Sequence, residues 1–264
     1  MISLRDRERE AWPIDGYLAA WKTYRRLANE NVVTASHLVA RGRWPKKEGL
    51  HLCDIGCGDG RLMESVLMAS PSWVEEVRLV DPESELLAEA VASVTETNLV
   101  RSVRAYLGPA EELLPQAADG CDGLLLVHVA YLLPRQHFVS LLRSLPMDVP
   151  CFIVLDSKAS VFTSLWKHTS PKYYRRSLAA HAAIEGLPRS DFEVQRSSFR
   201  ARLPDPRSLT RPDLLGAVLS ILCYAEFSRL EREGKLEQIY GVLDKFCEGA
   251  HITCESVCYE LIRR

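Results

Sequence analysis

The chain has 264 residues, 47% of them hydrophobic and 26% charged, with a formal net charge of −2. That is enough chain for one large α/β domain or two small ones, and so even a charge balance excludes a global field that would recruit nucleic acid. No apolar run approaches the length of a membrane span, and the charged opening, Met1–Glu10, has no signal-peptide core.

Residues 1–12 are expected to be mobile. From Gly16 to about Asn29, Tyr17, Trp21, Tyr24 and Leu27 or Ala28 recur at helical spacing. Asn29-Glu30-Asn31 is a poor helix interior, and a second helix is predicted over about Val32–Arg41. A helical lead-in of this length suits a cap over an active site.

Strict alternation follows. Strands are predicted over 50–55, 76–81, 100–106, 122–128 and 150–156, and helices over 61–69, 83–94, 109–114 and 135–144. That order predicts an α/β fold with a doubly wound parallel sheet and helices on both faces. Leu124–Val127 and Cys151–Leu155 are apolar throughout, as strands buried on both sides must be. After Asp156 the rhythm changes. Residues 157–190 are aromatic and basic, 191–203 reads as a strand, helices are predicted over about 210–231 and 234–248, and a last strand over 251–262. We expect one domain, with a core of about 48–156, 191–203 and 251–262, and a cap of about 12–47, 157–190 and 204–250. The eight cysteines lack the C-x2-C spacing of zinc sites and read as reduced thiols in a cytoplasmic protein, so no metal is expected.

The chemistry is concentrated after the first strand. Leu50–Ile55 carries Asp54 near its end and runs into Gly56-Cys57-Gly58-Asp59-Gly60. Glycines belong where a turn is tight and the backbone must approach a ligand. The second strand ends in Asp81, where nucleotide-binding α/β folds place the acid that reaches ribose hydroxyls. The glycine spacing is one residue shorter than the dinucleotide fingerprint, and a carboxylate as close as Asp54 would repel a pyrophosphate. A cationic ligand tolerates it far better.

The segment Asp54-Ile55-Gly56-Cys57-Gly58-Asp59-Gly60 resembles the first motif of the class I methyltransferases, which bind S-adenosylmethionine, and the strand ending at Val127 and His128 is similar to their fourth motif. The resemblance covers roughly residues 48–156. It implies a seven-stranded Rossmann-like sheet whose last strand is antiparallel. It also implies that Asp54, Gly56, Gly58 and Gly60 hold the methionine end of the cofactor and Asp81 with Pro82 the ribose. Ala110 and Glu111 would lie near the adenine, with Val127 beside the cofactor.

Outside this core the chain resembles the histamine N-methyltransferases. Tyr17 and Glu30 keep the spacing of that family's N-terminal substrate cap, and Leu165-Trp166-Lys167 resembles its L-W-K stretch. His128 stands where the family has a substrate-contacting glutamine and Glu255 where it has an asparagine, so the acceptor is expected to differ. The resemblance implies N-methylation of a small amine. Glu30 and Glu255 would bind its cationic group, Phe162 and Trp166 would cover it, and Tyr17 and Tyr131 would complete the pocket. His128 is expected to accept the proton, which with Glu30 makes the expected catalytic pair. Glu255 lies in an otherwise apolar strand, where a carboxylate needs a partner. A monomer is expected, with no nucleic-acid or membrane partner. An O- or carboxyl-methyltransferase, a nicotinamide-dependent oxidoreductase and a non-catalytic binding protein stay open as alternatives.

Overall fold

A computed structural model describes residues 14–264; the lead expected to be mobile lies outside them. Helix α1 (Ile14–Leu27) gives way at Ala28-Asn29 to α2 (Glu30–Val39), so the break falls just ahead of Glu30 and puts a carboxylate in the first turn of α2, where the helix dipole favours it. Asn29 pins the joint. Its backbone N–H donates to Arg202 O at 3.2 Å, and the Arg202 N–H donates to Asn29 Oδ1 at 2.6 Å.

Then come β1 (Leu50–Ile55), α3 (Arg61–Ala69), β2 (Val74–Asp81), α4 (Ser84–Glu96), β3 (Val100–Leu107), α5 (Ala110–Ala117), β4 (Gly123–Val127), α6 (Arg135–Arg143) and β5 (Cys151–Asp156). The later chain forms α7 (Val161–Thr169), α8 (Pro171–Glu185), β6 (Phe192–Pro204), α9 (Pro212–Cys223), α10 (Phe227–Arg232), α11 (Leu236–Leu243), β7 (Cys247–Glu248) and β8 (His251–Arg263).

The strands make one sheet in the order β3-β2-β1-β4-β5-β8-β6, with β7 paired to β8. Strands β1–β5 are parallel, and β8 runs antiparallel to both β5 and β6. The expected seven strands are present. The two-residue β7 is an eighth, made where the chain turns through Gly249 at φ 65° into β8. Successive side chains of β1 enter opposite layers: Cys53 and Ile55 join the apolar cluster containing α1, α6, α7 and α9, while Leu50 and Leu52 join the one containing α2, α3 and α4.

Two predicted helices are shorter than expected. The 210–231 stretch breaks at Tyr224, which takes a left-handed conformation at φ 49° and caps α9. The 234–248 stretch ends at Leu243 and yields to the β7 hairpin. Among the described residues, no helix is long and apolar enough to cross a membrane.

Candidate active site

In an open parallel sheet, ligands bind beyond the carboxyl ends of the strands, where the strand order reverses. Here the reversal lies between β1 and β4. A cavity opens there, lined by Asp54, Gly56 and Gly58 from the end of β1, Asp81 and Pro82 from β2, Val127 and His128 from β4, and Asp156 from β5. Helices α1, α7 and α9 roof it with Tyr17, Trp21, Tyr24, Phe162, Trp166 and Tyr224.

The glycine turn is built by contacts that a side chain would abolish. Gly56 has φ 73°, and a Cβ there would lie 2.4 Å from Val129 Cγ2. Gly58 has φ 55°, and a Cβ there would lie 3.0 Å from the Trp21 ring. Asp81 clamps the turn to β2: its Oδ2 accepts from the Gly58 N–H at 3.0 Å and its Oδ1 from the Glu83 N–H at 2.9 Å. Gly60 does a different job. It is not among the lining residues, and a Cβ there would lie 2.7 Å from the Ala90 backbone, so it allows the start of α3 to cross α4 closely.

A second cluster occupies the other half of the cavity. His128 Nε2 lies 3.0 Å from Glu30 Oε1, and His128 Nδ1 lies 3.6 Å from Asp156 Oδ2. Tyr24 donates its hydroxyl to Glu30 Oε2 at 3.1 Å. The His128 backbone is left-handed at φ 57°, uncommon for a non-glycine residue, and its N–H donates to Val154 O at 2.9 Å. Behind Asp156, buried His181 donates from Nε2 to the Asp156 carbonyl at 2.8 Å and meets the Tyr259 hydroxyl through Nδ1 at 2.8 Å.

The charges follow from this geometry. Burial alone would lower the His128 pKa, but Glu30 and Asp156 on its two nitrogens push it up to about 10. Burial alone would raise Glu30, but His128, Arg25 and Tyr24 hold it down to about 2. Asp156 stays above the ordinary carboxylate range because burial outweighs what His128 restores. Glu30 and Asp156 thus favour the imidazolium form of His128. An acceptor's proton would have to go to a neighbouring group as long as the ring is held in that form. One atom from each of Glu30, His128 and Asp156 lies within 4.8 Å of the others, close enough for a shared metal ion. The carboxylates lie against opposite ring nitrogens, Glu30 at 3.0 Å and Asp156 at 3.6 Å.

Five buried polar atoms around this cavity make no hydrogen bond: Asp54 Oδ2, Asp156 Oδ1, Trp166 Nε1, Arg25 Nε and His128 Nε2, which approaches Glu30 Oε1 at 3.0 Å as an ion pair without hydrogen-bond geometry. Buried polar groups are nearly always hydrogen-bonded, so such a convergence marks a place where something else supplies the bonds. For Asp54, burial pushes the carboxyl up to about 7 against the pull of Arg25.

The cavity thus gathers Tyr17, Glu30, Asp54, Gly56, Gly58, Asp81, Pro82, Val127, His128, Tyr131, Phe162 and Trp166 from the residues singled out in the sequence. It does not gather Ala110, Glu111 or Glu255. Ala110 is wholly buried in the apolar cluster, and Glu111 pairs with His137 Nδ1 at 2.7 Å. Glu255 has its partner already: Arg200 on the neighbouring strand, 3.9 Å away. Asp156, Arg25 and Tyr224 are among the cavity residues that sequence reading left out, as are Trp21 and Tyr24, which it read only as helix positions. Asp156 had a usable signal, an acid at the carboxyl end of a fully apolar parallel strand. Tyr224 had none, since nothing in the sequence around it announces a left-handed break.

No family model matches the chain, and no curated protein does. Among solved structures it is similar to the YcgJ protein of Bacillus subtilis, at 17% identity over 89% of this chain and 98% of that one, with a TM-score of 0.56. It is also similar to a proposed methyltransferase of Bacillus halodurans, at 15% identity over 89% of this chain and 99% of that one, with a TM-score of 0.55. The fold is the Rossmann-like methyltransferase fold. Nothing in these matches points to the histamine N-methyltransferases in particular.

Proposed function

We propose that the protein is an S-adenosylmethionine-dependent methyltransferase acting on a small amine-containing acceptor. The observation that carries this reading is Asp54, a buried carboxylate with an unpartnered oxygen beneath a left-handed glycine turn that has no room for a side chain. A phosphate ligand would be repelled there, whereas a cationic one restores the lost solvation. When bound, S-adenosylmethionine supplies an electrophilic methyl group on a sulfonium.

Asp54 and the backbone at Gly56 and Gly58 would hold the amino-acid end, and Asp81 with Pro82 the ribose, beside Val127. The Glu30–His128–Asp156 cluster sits beside this position and faces the roof. Its two carboxylates outnumber its one cation, which suits a protonated amine more than an anion. Asp156 Oδ1 is the atom free to accept a hydrogen bond or a proton from the acceptor. Tyr17, Tyr131, Phe162 and Trp166 exclude water and offer ring faces that attract cations. An oxygen acceptor is the second reading, favoured by one atom: Trp166 Nε1, a buried donor that an ether or hydroxyl oxygen would satisfy.

The test is a transfer screen with methyl-labelled donor against amines, phenols and carboxylic acids of similar size, together with the thermal shift produced by S-adenosylhomocysteine and by NADH. Label in amines and a shift with S-adenosylhomocysteine alone are expected. A shift with NADH alone would overturn the methyl-donor reading, and label confined to phenols or acids would overturn the amine.

A further inference from the structure

Arg25 is a largely buried cation that makes no hydrogen bond among the described residues. It projects from α1 into the cavity, and its side chain keeps 10% of its exposure. Its nearest acid is Asp59, at 3.7 Å, beyond hydrogen-bond reach. Asp59 is in any case occupied by Arg61, whose N–H donates to Oδ1 at 3.3 Å and whose Nε lies 3.4 Å from Oδ2. The guanidinium is fixed in place by stacking on Trp21, with its carbon 4.7 Å from the ring centroid, and Trp21 in turn rests on Gly58. A guanidinium has five N–H donors in a rigid fork and carries its charge at any physiological pH. The Nε is buried without an acceptor, and no hydrogen bond from this side chain occurs among the described residues.

The fork is matched to a carboxylate. Resting on the reading of the cavity as an S-adenosylmethionine site, we propose that Arg25 binds the α-carboxylate of the cofactor's amino-acid end. The electrostatics divide that end between two residues. Asp54, below the glycine turn, takes the ammonium, and Arg25, above it, takes the carboxylate. Each would satisfy a polar atom that has no hydrogen-bond partner within the protein. Because Arg25 stands on α1, cofactor binding also fixes the roof helix that carries Tyr17 and Tyr24, and so shapes the acceptor half of the site before an acceptor arrives.

The test is calorimetric binding of two ligands, S-adenosylhomocysteine and its decarboxylated analogue, to the wild-type protein and to Arg25→Met and Arg25→Lys. The wild type is expected to prefer the carboxylate-bearing ligand at least tenfold. Arg25→Met should abolish that preference while leaving the affinity for the decarboxylated ligand unchanged, and Arg25→Lys should keep part of it. Equal weakening of both ligands in Arg25→Met would make the residue structural and overturn the proposal. So would unchanged binding of S-adenosylhomocysteine with a raised acceptor KM, which would assign the carboxylate to the acceptor. Should Arg25→Met not fold, Arg25→Lys decides by the same ratio. If the wild type binds neither ligand, the underlying cofactor reading fails as well, which no result on the variants alone would show.

Discussion

The two halves of the cavity are made in different ways. The half at β1 and β2 is mostly backbone: a turn of left-handed glycines, clamped by Asp81 and roofed by Trp21. Its parts come from a short stretch of chain and one neighbouring strand. The half at β4 and β5 is side chains: Glu30, His128 and Asp156, with Tyr24, from α1, α2 and the ends of two strands. A backbone cradle tolerates almost no change in shape but imposes little on the sequence elsewhere. A charge cluster tolerates changes in shape but none in charge balance. The first suits a constant ligand and the second a variable one.

The sharpest way to break this contrast is to remove the cation that the second half depends on. His128→Ala leaves Glu30 and Asp156 buried and facing each other. Breaking a buried ion pair this way costs about 3–5 kcal/mol, measurable by urea unfolding at pH 7. A loss below about 1 kcal/mol would mean that the histidine is not holding the two acids. His128→Gly should be less damaging by about 1 kcal/mol, because glycine relieves the left-handed backbone. The pH profile of stability reports the same cluster. His128 titrates above its ordinary 6.5, so its contribution is complete below that value and is lost as pH rises through about 10. Glu30 titrates below its ordinary 4.5, so its contribution is complete above that value and is lost as pH falls through about 2. His128→Ala should remove both limbs.

The backbone half breaks differently. Gly56→Ala forces a β-carbon against Val129 and keeps the positive φ, for a loss of about 2–4 kcal/mol together with S-adenosylhomocysteine binding. Adding Val129→Ala should recover the steric part and leave the torsional part. Full recovery in thermal unfolding would show that the clash alone matters and that the left-handed turn does not require glycine.

These two kinds of construction explain what the sequence made legible. Glycines at Gly56 and Gly58 and an acid at Asp81 leave a local trace, because tight turns and strand ends restrict residue type on the spot. The alternation of buried strands and helices left a trace for the same reason, and the sheet follows it with strand ends displaced by a residue or two at most. The side-chain half was legible only in part. Glu30 and His128 were found through resemblance, but their meeting depends on where Asn29 pins the joint of α1 and α2 to β6, which no local pattern encodes. An isolated imidazole reads as a base; what raises the His128 pKa is Glu30 and Asp156, which arrive from elsewhere in the chain. Glu255 reads as a ligand because an acid in an apolar strand needs a partner; the register of β6 with β8 brings Arg200 to 3.9 Å from it, outside the cavity lining.

A finer test bears on Asp54, where the two halves touch. Its carboxyl is raised from the ordinary 3.8 to about 7 by burial, so the folded protein holds a proton there that the unfolded chain has already released. Its contribution to stability is therefore largest below 3.8 and is lost as pH rises through about 7, a slope opposite to that of Glu30. A cationic donor binds the ionised form. Affinity for S-adenosylmethionine should rise about tenfold between pH 6 and pH 8 with proton release detectable by calorimetry in two buffers, and Asp54→Asn should flatten the profile. A profile unchanged in the variant would place the titrating group elsewhere.

The smallest effect expected is at Glu255, and it fixes where the acceptor half ends. The carboxylate lies beside an exposed Arg200 at 3.9 Å, a pair of the kind that contributes little, and its backbone carbonyl accepts from the Ser157 N–H at 2.9 Å whatever the side chain. Glu255→Gln should therefore change stability by no more than about 0.5 kcal/mol and leave the acceptor KM within about twofold. Glu30→Gln, which removes a charge facing His128 inside the cavity, should raise that KM about tenfold while leaving S-adenosylhomocysteine affinity alone. Equal effects of the two substitutions would mean that the acceptor reaches out along β8 to the β6 edge, and that the roof formed by α1, α7 and α9 opens further than its packing against Tyr224 implies.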